Sequence, residues 1–336
     1  VDSGNLAVYL LTLRTGLLGL ADQPASPLHA VEGVRDAFAV LVSCAPHSRP
    51  EHAAFAAVLD ALHTPAKPTL AAWHDRLHQL RAAAAALARA YDVDADTASE
   101  AALCKQFASA HWSARAESTA DQKALDAVAT AAEAPHWACV LHAQCAEALT
   151  DLEFLLPWLV LRGATAGADA VLASALADTL EVPSLRVLAA LDEDSAVIVQ
   201  LLPEAADQLA EAIELRRLLA SGAARARQRL YRLGRLAQRC AALAEMDFSF
   251  LYNPKRRLLS VGYSVSAGRI DASHYDLLAS EARQGVFVAI AQGQLPQDSW
   301  FALGRLLTRT TGEPALLSWS GSMFEYLMPQ LVMPVY

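Results

Sequence analysis

No stretch of this chain is apolar for long enough to cross a bilayer, which takes about 20 consecutive residues. The longest candidate, Leu152 to Leu161, is interrupted by Glu153 and Pro157. No signal peptide with a basic start and a cleavage site is read in the sequence either. Positive charge is in short supply: 27 Lys and Arg against 36 Asp and Glu leave a formal net charge of −9. That balance argues against non-specific nucleic-acid binding, because phosphate contacts need a basic face. The five cysteines, Cys44, Cys104, Cys139, Cys145 and Cys240, are odd in number and scattered through helical segments. They fit a reduced, cytoplasmic setting better than a disulfide framework. Glycine and proline are modest at 15 each.

What is present in quantity is alanine and leucine, within a hydrophobic fraction of 54% over 336 residues. Such a chain can hold one large domain or two, with an ample core, and helix is favoured almost throughout. It opens at Val1 without an initiator methionine and stops at Tyr336, and both ends read as cut from something longer.

A helix is predicted from Leu6 to about Leu20, with Ser3 or Asn5 as N-cap, followed by a connector over 21–27. From there to about Glu245 the pattern is a succession of helices. Breaks are expected near 45–50, 64–68, 163–167 and at Ser221-Gly222. Beyond Ala244 the texture changes. Phe248–Tyr252 and Leu258–Tyr263 are short strand-like runs around Asn253-Pro254-Lys255-Arg256, a hairpin signal. The run Ile270 to Arg283 reads as a helix start, with Ser273 as N-cap and Asp276 three positions on, and the helix ends near Ala291-Gln292-Gly293. A further helix is predicted from Pro296 or Gln297 to about Leu307, before a loop over 308–314.

Two acids stand out in the last ninety residues. At 100° per residue, Glu281 falls within an apolar stripe of Leu277, Leu278, Gly285 and Val288. A carboxylate there costs several kcal/mol to bury unless it is paired, hydrogen-bonded or reached by water. Asp276, by contrast, shares a polar face with Ser280 and Arg283, as on a solvated helix surface. Glu325 lies among Trp319, Phe324, Tyr326, Leu327 and Met328. Acids in apolar, aromatic settings suit general acid/base chemistry, and the aromatics suit stacking on sugar rings. Ser322-x-x-Glu325 is equally a capping box, which needs no active site.

Three features imitate functional motifs. His136, Cys139, His142 and Cys145 recur every third residue, but on a helix each step turns 300°, so the four cannot converge on one tetrahedral zinc. Asp92-x-Asp94-x-Asp96 begins like a calcium loop, yet Thr97 and Leu103 stand where glycine and glutamate are needed. A helix cap accounts for it. Arg225, Arg227, Arg229, Arg232, Arg235 and Arg239 have few stacking aromatics nearby, and a solvated helix face is the expected role. No metal site and no cofactor are anticipated.

Met246-Asp247-Phe248-x-Phe250-Leu251-Tyr252, Arg257-Leu258, Gly262-Tyr263, Tyr275 to Arg283 and Trp319-Ser320-Gly321-x-Met323 to Pro329 resemble the glycoamylase-like central domain of bacterial cyclic β-1,2-glucan synthases. Val1 to Ala7 is similar to a stretch of the same family upstream of a long helical region. The resemblance covers about residues 1–22 and 246–336. It implies a mainly all-α fold, part of an (α/α)6-barrel-like toroid with a long helical region and a small β-hairpin. The organisation it implies is a first barrel-type helix (1–22), a helical region (23–245) and a barrel segment (246–336), truncated at both ends.

The implied activity is retaining transglycosylation, closing linear β-1,2-glucan into a ring, while glycosyltransferase and phosphorylase-like domains of the parent make the chain and control its length. Retention takes an acid/base and a nucleophile, usually about 5–5.5 Å apart. In related β-1,2-glucan enzymes the acid acts through a substrate hydroxyl instead. The resemblance makes Glu281 the acid/base, with Glu325 a second catalytic candidate. Asp271, Tyr275, Asp276, Trp319, Asp2 and Asn5 would bind sugar. A Trp-Gly-x-Ser-Glu segment that supplies the family's nucleophile has no counterpart here, so the chain alone is expected to be inactive. The expected partners are a β-1,2-glucan oligosaccharide and the parent's other domains, in a cytoplasmic segment of an inner-membrane enzyme that does not itself touch the membrane. The alternatives are a non-catalytic helical scaffold and a β-glucan hydrolase of the same fold.

Overall fold

The computed structural model describes residues 2–45, 49–62, 69–93, 122–163, 168–191, 212–279 and 282–333, with side chains described from 133 onward in the helix that begins at 122. It is mainly helical, with three two-stranded antiparallel hairpins and, among the described residues, no closed barrel. Two compact units divide the chain: Val1–Ala21 with Tyr231–Tyr336, and Asp22–Leu230. Helix α1 (Asp2–Gly19) starts four residues earlier than the sequence predicts.

The unit Asp22–Leu230 is built from α2 (Leu28–Cys44), α3 (Pro50–Ala61), α4 (Leu70–Ala90), α5 (Gln122–Leu155), a 3-10 turn at Pro157–Gly163, α6 (Ala168–Thr179), α7 (Leu185–Ala190) and the first part of α8 (Ile213–Ala244). Helix α4 shows why it forms where it does. Thr69 is its N-cap, its hydroxyl accepting from the Ala72 N–H at 3.3 Å. Leu70, Trp73, Leu77, Leu80, Ala84 and Leu87 recur at helical spacing and are all buried. At its end Asp92 takes a left-handed φ of 57°, and the Val93 N–H reaches back to the Ala88 carbonyl at 3.1 Å. That is a cap, as the sequence indicates; Asp94 and Asp96 of the calcium-like run lie outside the described residues. Helices α2 and α4 both pack on α5.

One expectation in this unit needs correcting and a second needs completing. Ser221-Gly222 does not end a helix: α8 runs through it from Ile213 to Ala244. A Cβ on Gly222 would lie 2.6 Å from the Leu155 carbonyl oxygen and 3.2 Å from Pro157 Cδ. The glycine is there to let α8 approach the end of α5. The arginine run is largely the exposed face expected, but its first guanidinium groups also have partners, which the expectation left out. Arg229 forks onto Asp151 at 3.0 and 2.5 Å, Arg225 donates to the Phe154 carbonyl at 2.9 Å and lies over the Phe154 ring, and Arg227 donates to the Ala189 carbonyl at 2.9 Å. These guanidinium groups tie α8 to its neighbours in the unit.

The unit Val1–Ala21 with Tyr231–Tyr336 adds to α1 and the rest of α8 three hairpins: β1 (Tyr252–Asn253) with β2 (Leu258–Leu259), β3 (Tyr263–Ser264) with β4 (Arg269–Ile270), and β5 (Leu307–Thr310) with β6 (Glu313–Leu316). The first sits where the sequence puts it: Asn253 Oδ1 accepts from the Lys255 and Arg256 N–H groups, and Arg257 turns left-handed at φ 59°. Phe248–Tyr252 is not one strand, however, because Ser249–Leu251 forms a 3-10 turn. Helices α9 (Ala282–Ala291), α10 (Asp298–Ala302) and α11 (Phe324–Leu327) complete the unit. Gly293 ends α9 as anticipated, at φ 74°. The helix predicted to reach Leu307 stops at Ala302 instead, and the supposed loop over 308–314 is the β5–β6 hairpin, turned at Thr311 and Gly312 with positive φ. The core joins both chain ends: Ala7 and Val8 of α1, Ala244, Phe248, and Val288 and Ala289 of α9.

Overpacking a glycine contact with fixed backbone costs about 1–3 kcal/mol, whereas Gly→Ala at an open helical position gains about 0.5–1 kcal/mol. Gly222→Ala should therefore lower the denaturation midpoint. Gly234→Ala on the same helix, where a Cβ meets nothing within 4 Å, should raise it. Burial, chiefly, also pushes the pKa values of His52, His74 and His136 below 6.5. Unfolding then takes up protons, so this contribution to stability is complete above about pH 6.5 and fades as pH falls toward the folded values. Calorimetry should find a midpoint some degrees lower at about pH 5.5 than at about pH 7.5.

Candidate functional site

Residues 260–279 do not continue into a helix, because several of their backbone groups are engaged elsewhere. The Val261 N–H donates to the Ser273 carbonyl, Asp271 N–H to Gly262, Leu277 N–H to Gly304 and Trp319 N–H to the Leu278 carbonyl, at 2.9–3.3 Å. Ser260 and His274 form an isolated bridge. The amphipathic helix predicted from Ser273 is thus shortened to Ala282–Ala291. Ser273 is no N-cap: its own N–H donates to Asp271 Oδ1 at 2.9 Å.

This irregular segment walls a cavity of about 310 Å³ lined by Phe250, Ser260, Gly262, Tyr263 and Tyr275, with Ser3 and Gly4 of α1 and Ala282, Gly285 and Val286 of α9 opposite. The lining is mostly apolar with few polar groups, the ordinary make-up of a small-molecule site. Phe250 meets Tyr263 edge-on at 6.1 Å, and Tyr275 meets Trp319 at 6.4 Å and 61°. Ser260 is buried, with its hydroxyl donating to the Asp271 carbonyl at 2.6 Å. Gly4 and Gly285 are what allow α1 and α9 to close one side: a Cβ on Gly4 would lie 2.7 Å from Gly285 Cα.

Beside the cavity lies a polar latch. Asp276 is not on a solvated face; Oδ2 pairs with Arg305 at 2.5 Å with both side chains largely covered, and Oδ1 accepts from the Leu278 N–H at 3.0 Å. Arg305 also donates to the Leu317 carbonyl and lies 5.9 Å from the Trp319 ring centroid. Glu325 is 3% exposed, and its carboxylate accepts from the Ser320 N–H at 3.2 Å and the Ser320 hydroxyl at 3.0 Å. The capping box Ser322-x-x-Glu325 is not formed, since Met323 is the N-cap of α11 and no side chain caps it. Arg283 donates to the Tyr326 carbonyl at 2.9 Å, and burial lowers its pKa.

Of the residues singled out in the sequence, Tyr275 lines the cavity, and Trp319 (54% exposed), Asp276 and Glu325 adjoin it through the Tyr275 ring, Arg305 and Ser320. Asp271 is exposed at the turn after β4. Asp2 is exposed on the first turn of α1, and the buried Asn5 Oδ1 has no hydrogen-bond partner among the described residues. Glu281 lies outside the described residues, as does Ser280. Arg305, Ser260 and Phe250 were not foreseen. Their roles come from partners 11 to 29 positions away in sequence, which no local pattern reveals.

No protein-family model matches the chain. Over 107 residues it is 56% identical to the cyclic beta-(1,2)-glucan synthase NdvB of Rhizobium meliloti (strain 1021), a stretch that covers 32% of this chain and 4% of that protein. The similarity supports the glucan-synthase family that the sequence motifs resemble, without singling out a domain.

The latch has a direct test. A charge-assisted hydrogen bond is worth about 1.5–3 kcal/mol. Arg305→Met removes the pair to Asp276, the bond to Leu317 and the cation over Trp319, so it should cost that order of stability in denaturant unfolding. It should also open the indole to acrylamide quenching, and Asp276→Asn should reproduce part of both effects.

Proposed function

We propose that this chain is a segment of a cyclic β-1,2-glucan synthase, and that its C-terminal unit belongs to the glycoside-hydrolase-like domain that closes linear β-1,2-glucan into rings by retaining transglycosylation. The observation that carries the reading is the aromatic-lined cavity of Phe250, Tyr263 and Tyr275, with the exposed Trp319 indole at its side. Flat aromatic faces take up the apolar faces of sugar rings, and the few polar groups fix their orientation. A similarity to a glucan synthase supplies the substrate class.

In this reading Glu281 is the acid/base. It protonates the leaving glycosidic oxygen, directly or through a substrate hydroxyl, while a nucleophile from another part of the parent takes the anomeric carbon. It then accepts the proton of the glucan hydroxyl that attacks the glycosyl-enzyme. Ring closure requires that hydroxyl to outcompete water, which a closed, apolar cleft favours. Glu325 accepts from Ser320 with both oxygens, and we assign it to holding the Trp319–Ser320 loop. Tyr275 and Trp319 bind sugar, and Asp276 orients Trp319 through Arg305. Asp271, Asp2 and Asn5 border the same unit and are assigned substrate contacts on the family resemblance alone.

Helix α1 favours a place inside a larger body. Leu6 and Leu13 are each 53% exposed and Leu18 is also uncovered, on a helix whose apolar residues are not confined to one face. The parent's remaining domains are the natural cover for such a surface. No helix among the described residues is long and apolar enough to cross a membrane, and we assign the segment to the cytoplasmic side of a membrane enzyme. For Asp22–Leu230 the scaffold reading fits best, because Arg162, Arg227 and Arg229 each tie one element of the unit to another.

Glu281→Gln in the full-length parent should abolish cyclic glucan while linear β-1,2-glucan still accumulates, as read by mass spectrometry of the products. Undiminished ring formation would remove Glu281 from the reaction. Glu325→Gln should leave some ring formation, with a raised KM.

A further inference from the structure

Outside the cavity, the unit Asp22–Leu230 holds a group of side chains that the reading above does not use. His74 and His78 stand one turn apart on the same face of α4, and Glu153 of α5 faces them. His74 Nε2 lies 3.1 Å from Glu153 Oε1, His78 Nε2 lies 3.2 Å from His74 Nε2, and His78 Nε2 lies 3.5 Å from Glu153 Oε1. Three lone-pair atoms therefore form a nearly equilateral triangle. Metal–ligand bonds of about 2.0–2.1 Å in a tetrahedron give edges of about 3.3–3.4 Å, so the triangle has the size of one tetrahedral face. The two imidazole planes are nearly perpendicular, at 89°. Among the described residues this is the group of His, Cys, Asp and Glu side chains whose ligand atoms converge; the His136 to Cys145 ladder is not one.

We propose that His74, His78 and Glu153 form a binding site for a divalent first-row metal ion, zinc by preference, that fastens α4 to α5. Two imidazoles and one carboxylate are a borderline ligand set suited to zinc, and water from the open side supplies the fourth position. The surroundings of His74 favour the neutral imidazole a metal needs. His74 is almost wholly covered, and burial holds its pKa below the ordinary value. His78 and Glu153 are 43% and 32% exposed, which leaves an entry path. Backing is firm, since Trp73, Leu77 and Leu80 on the same helix are buried.

One neighbour must adjust. Arg162 Nη1 is 3.4 Å from His74 Nδ1, where it meets the ring's lone pair when the proton sits on Nε2. Coordination through Nε2 moves that proton to Nδ1. Arg162 must then yield this long contact, and it can keep its two 3.1 Å bonds to Asp75, whose carboxylate balances its charge.

The test uses the whole 336-residue chain without an affinity tag, stripped with a chelator and titrated with Co²⁺ as a spectroscopic stand-in for zinc. The expected result is one equivalent bound with the intense visible absorption of a tetrahedral ion, displaced by Zn²⁺, and a Zn²⁺-dependent rise in melting temperature. His78→Ala and Glu153→Gln should each weaken binding by more than about 100-fold, beyond what loss of an outer-shell partner does. Both should melt cooperatively and lose the Zn²⁺ response. His29→Ala, which removes an exposed histidine paired with Glu32, should bind as the parent does. No tetrahedral absorption, or absorption that survives both ligand variants, overturns the proposal. None of these measurements depends on glucan chemistry, so a failure here leaves the enzymatic reading standing, and the reverse also holds.

Discussion

Two glycines decide whether the cavity-bearing unit can exist. Gly4 on the first turn of α1 and Gly285 on α9 meet backbone to backbone, and a Cβ at position 4 would fall 2.7 Å from Gly285 Cα. Backbone cannot retreat as a long side chain can, so the crossing has no room for a Cβ on Gly4, while one on Gly285 would press on Gly4 Cα at 3.3 Å. This contact brings Ala7 and Val8 onto Val288 and Ala289, joining the start of the chain to a helix some 280 positions on. It also makes Ser3, Gly4 and Gly285 part of the cavity wall. The sugar-binding reading of the aromatic face thus depends on a packing contact that contains no aromatic residue.

The polar latch adds direction to that wall. Trp319 is held from three sides by groups that do not touch the cavity: its N–H by the Leu278 carbonyl, its ring by the Arg305 guanidinium, and its chain neighbour Ser320 by Glu325. A partly exposed indole loses rotational freedom on binding a ligand, and one already fixed has less to lose. Buried acids are often suspected of catalysis, but the surroundings of Glu325 distinguish two cases. An acid poised for proton transfer keeps an oxygen available to the reacting group. Glu325 accepts from Ser320 with both oxygens, so part of what this carboxylate does is hold the turn that carries the indole.

The sequence carried the helical class, the hairpin at Asn253, the left-handed Gly293 and the grouping of Tyr275 with Trp319, because each of these has a local cause or a family motif. It misjudged features whose causes are distant. Ser273 to Arg283 has a good helical pattern, yet Leu277, Leu278, Val261 and Asp271 hand their backbone bonds to Gly304, Trp319, Ser273 and Gly262. Those partners outbid an intrahelical ladder that local propensity alone would build. Gly222 carried the usual signature of a break and is instead the close-approach point of a continuous helix. Asp276 had an innocuous amphipathic position and turned out to hold Arg305. In each case the deciding atom lies on another element.

The same distinction separates two histidine patterns in the helical unit. His136, Cys139, His142 and Cys145 attract notice because four ligand types recur, but a spacing of three rotates each successive residue away from its predecessor. His74 and His78 are only two residues, and a pair four apart is common enough to pass without comment. Yet four residues is the interval that returns a side chain to the same face. The third group, Glu153, comes from a different helix, so sequence periodicity could not have added it. A metal at that point would act between α4 and α5, the same pair of elements on which α2 and α3 pack, respectively on α5 and α4. Fixing the contact there would brace both helices against which α2 and α3 pack, with chemistry unrelated to the aromatic cavity of the other unit.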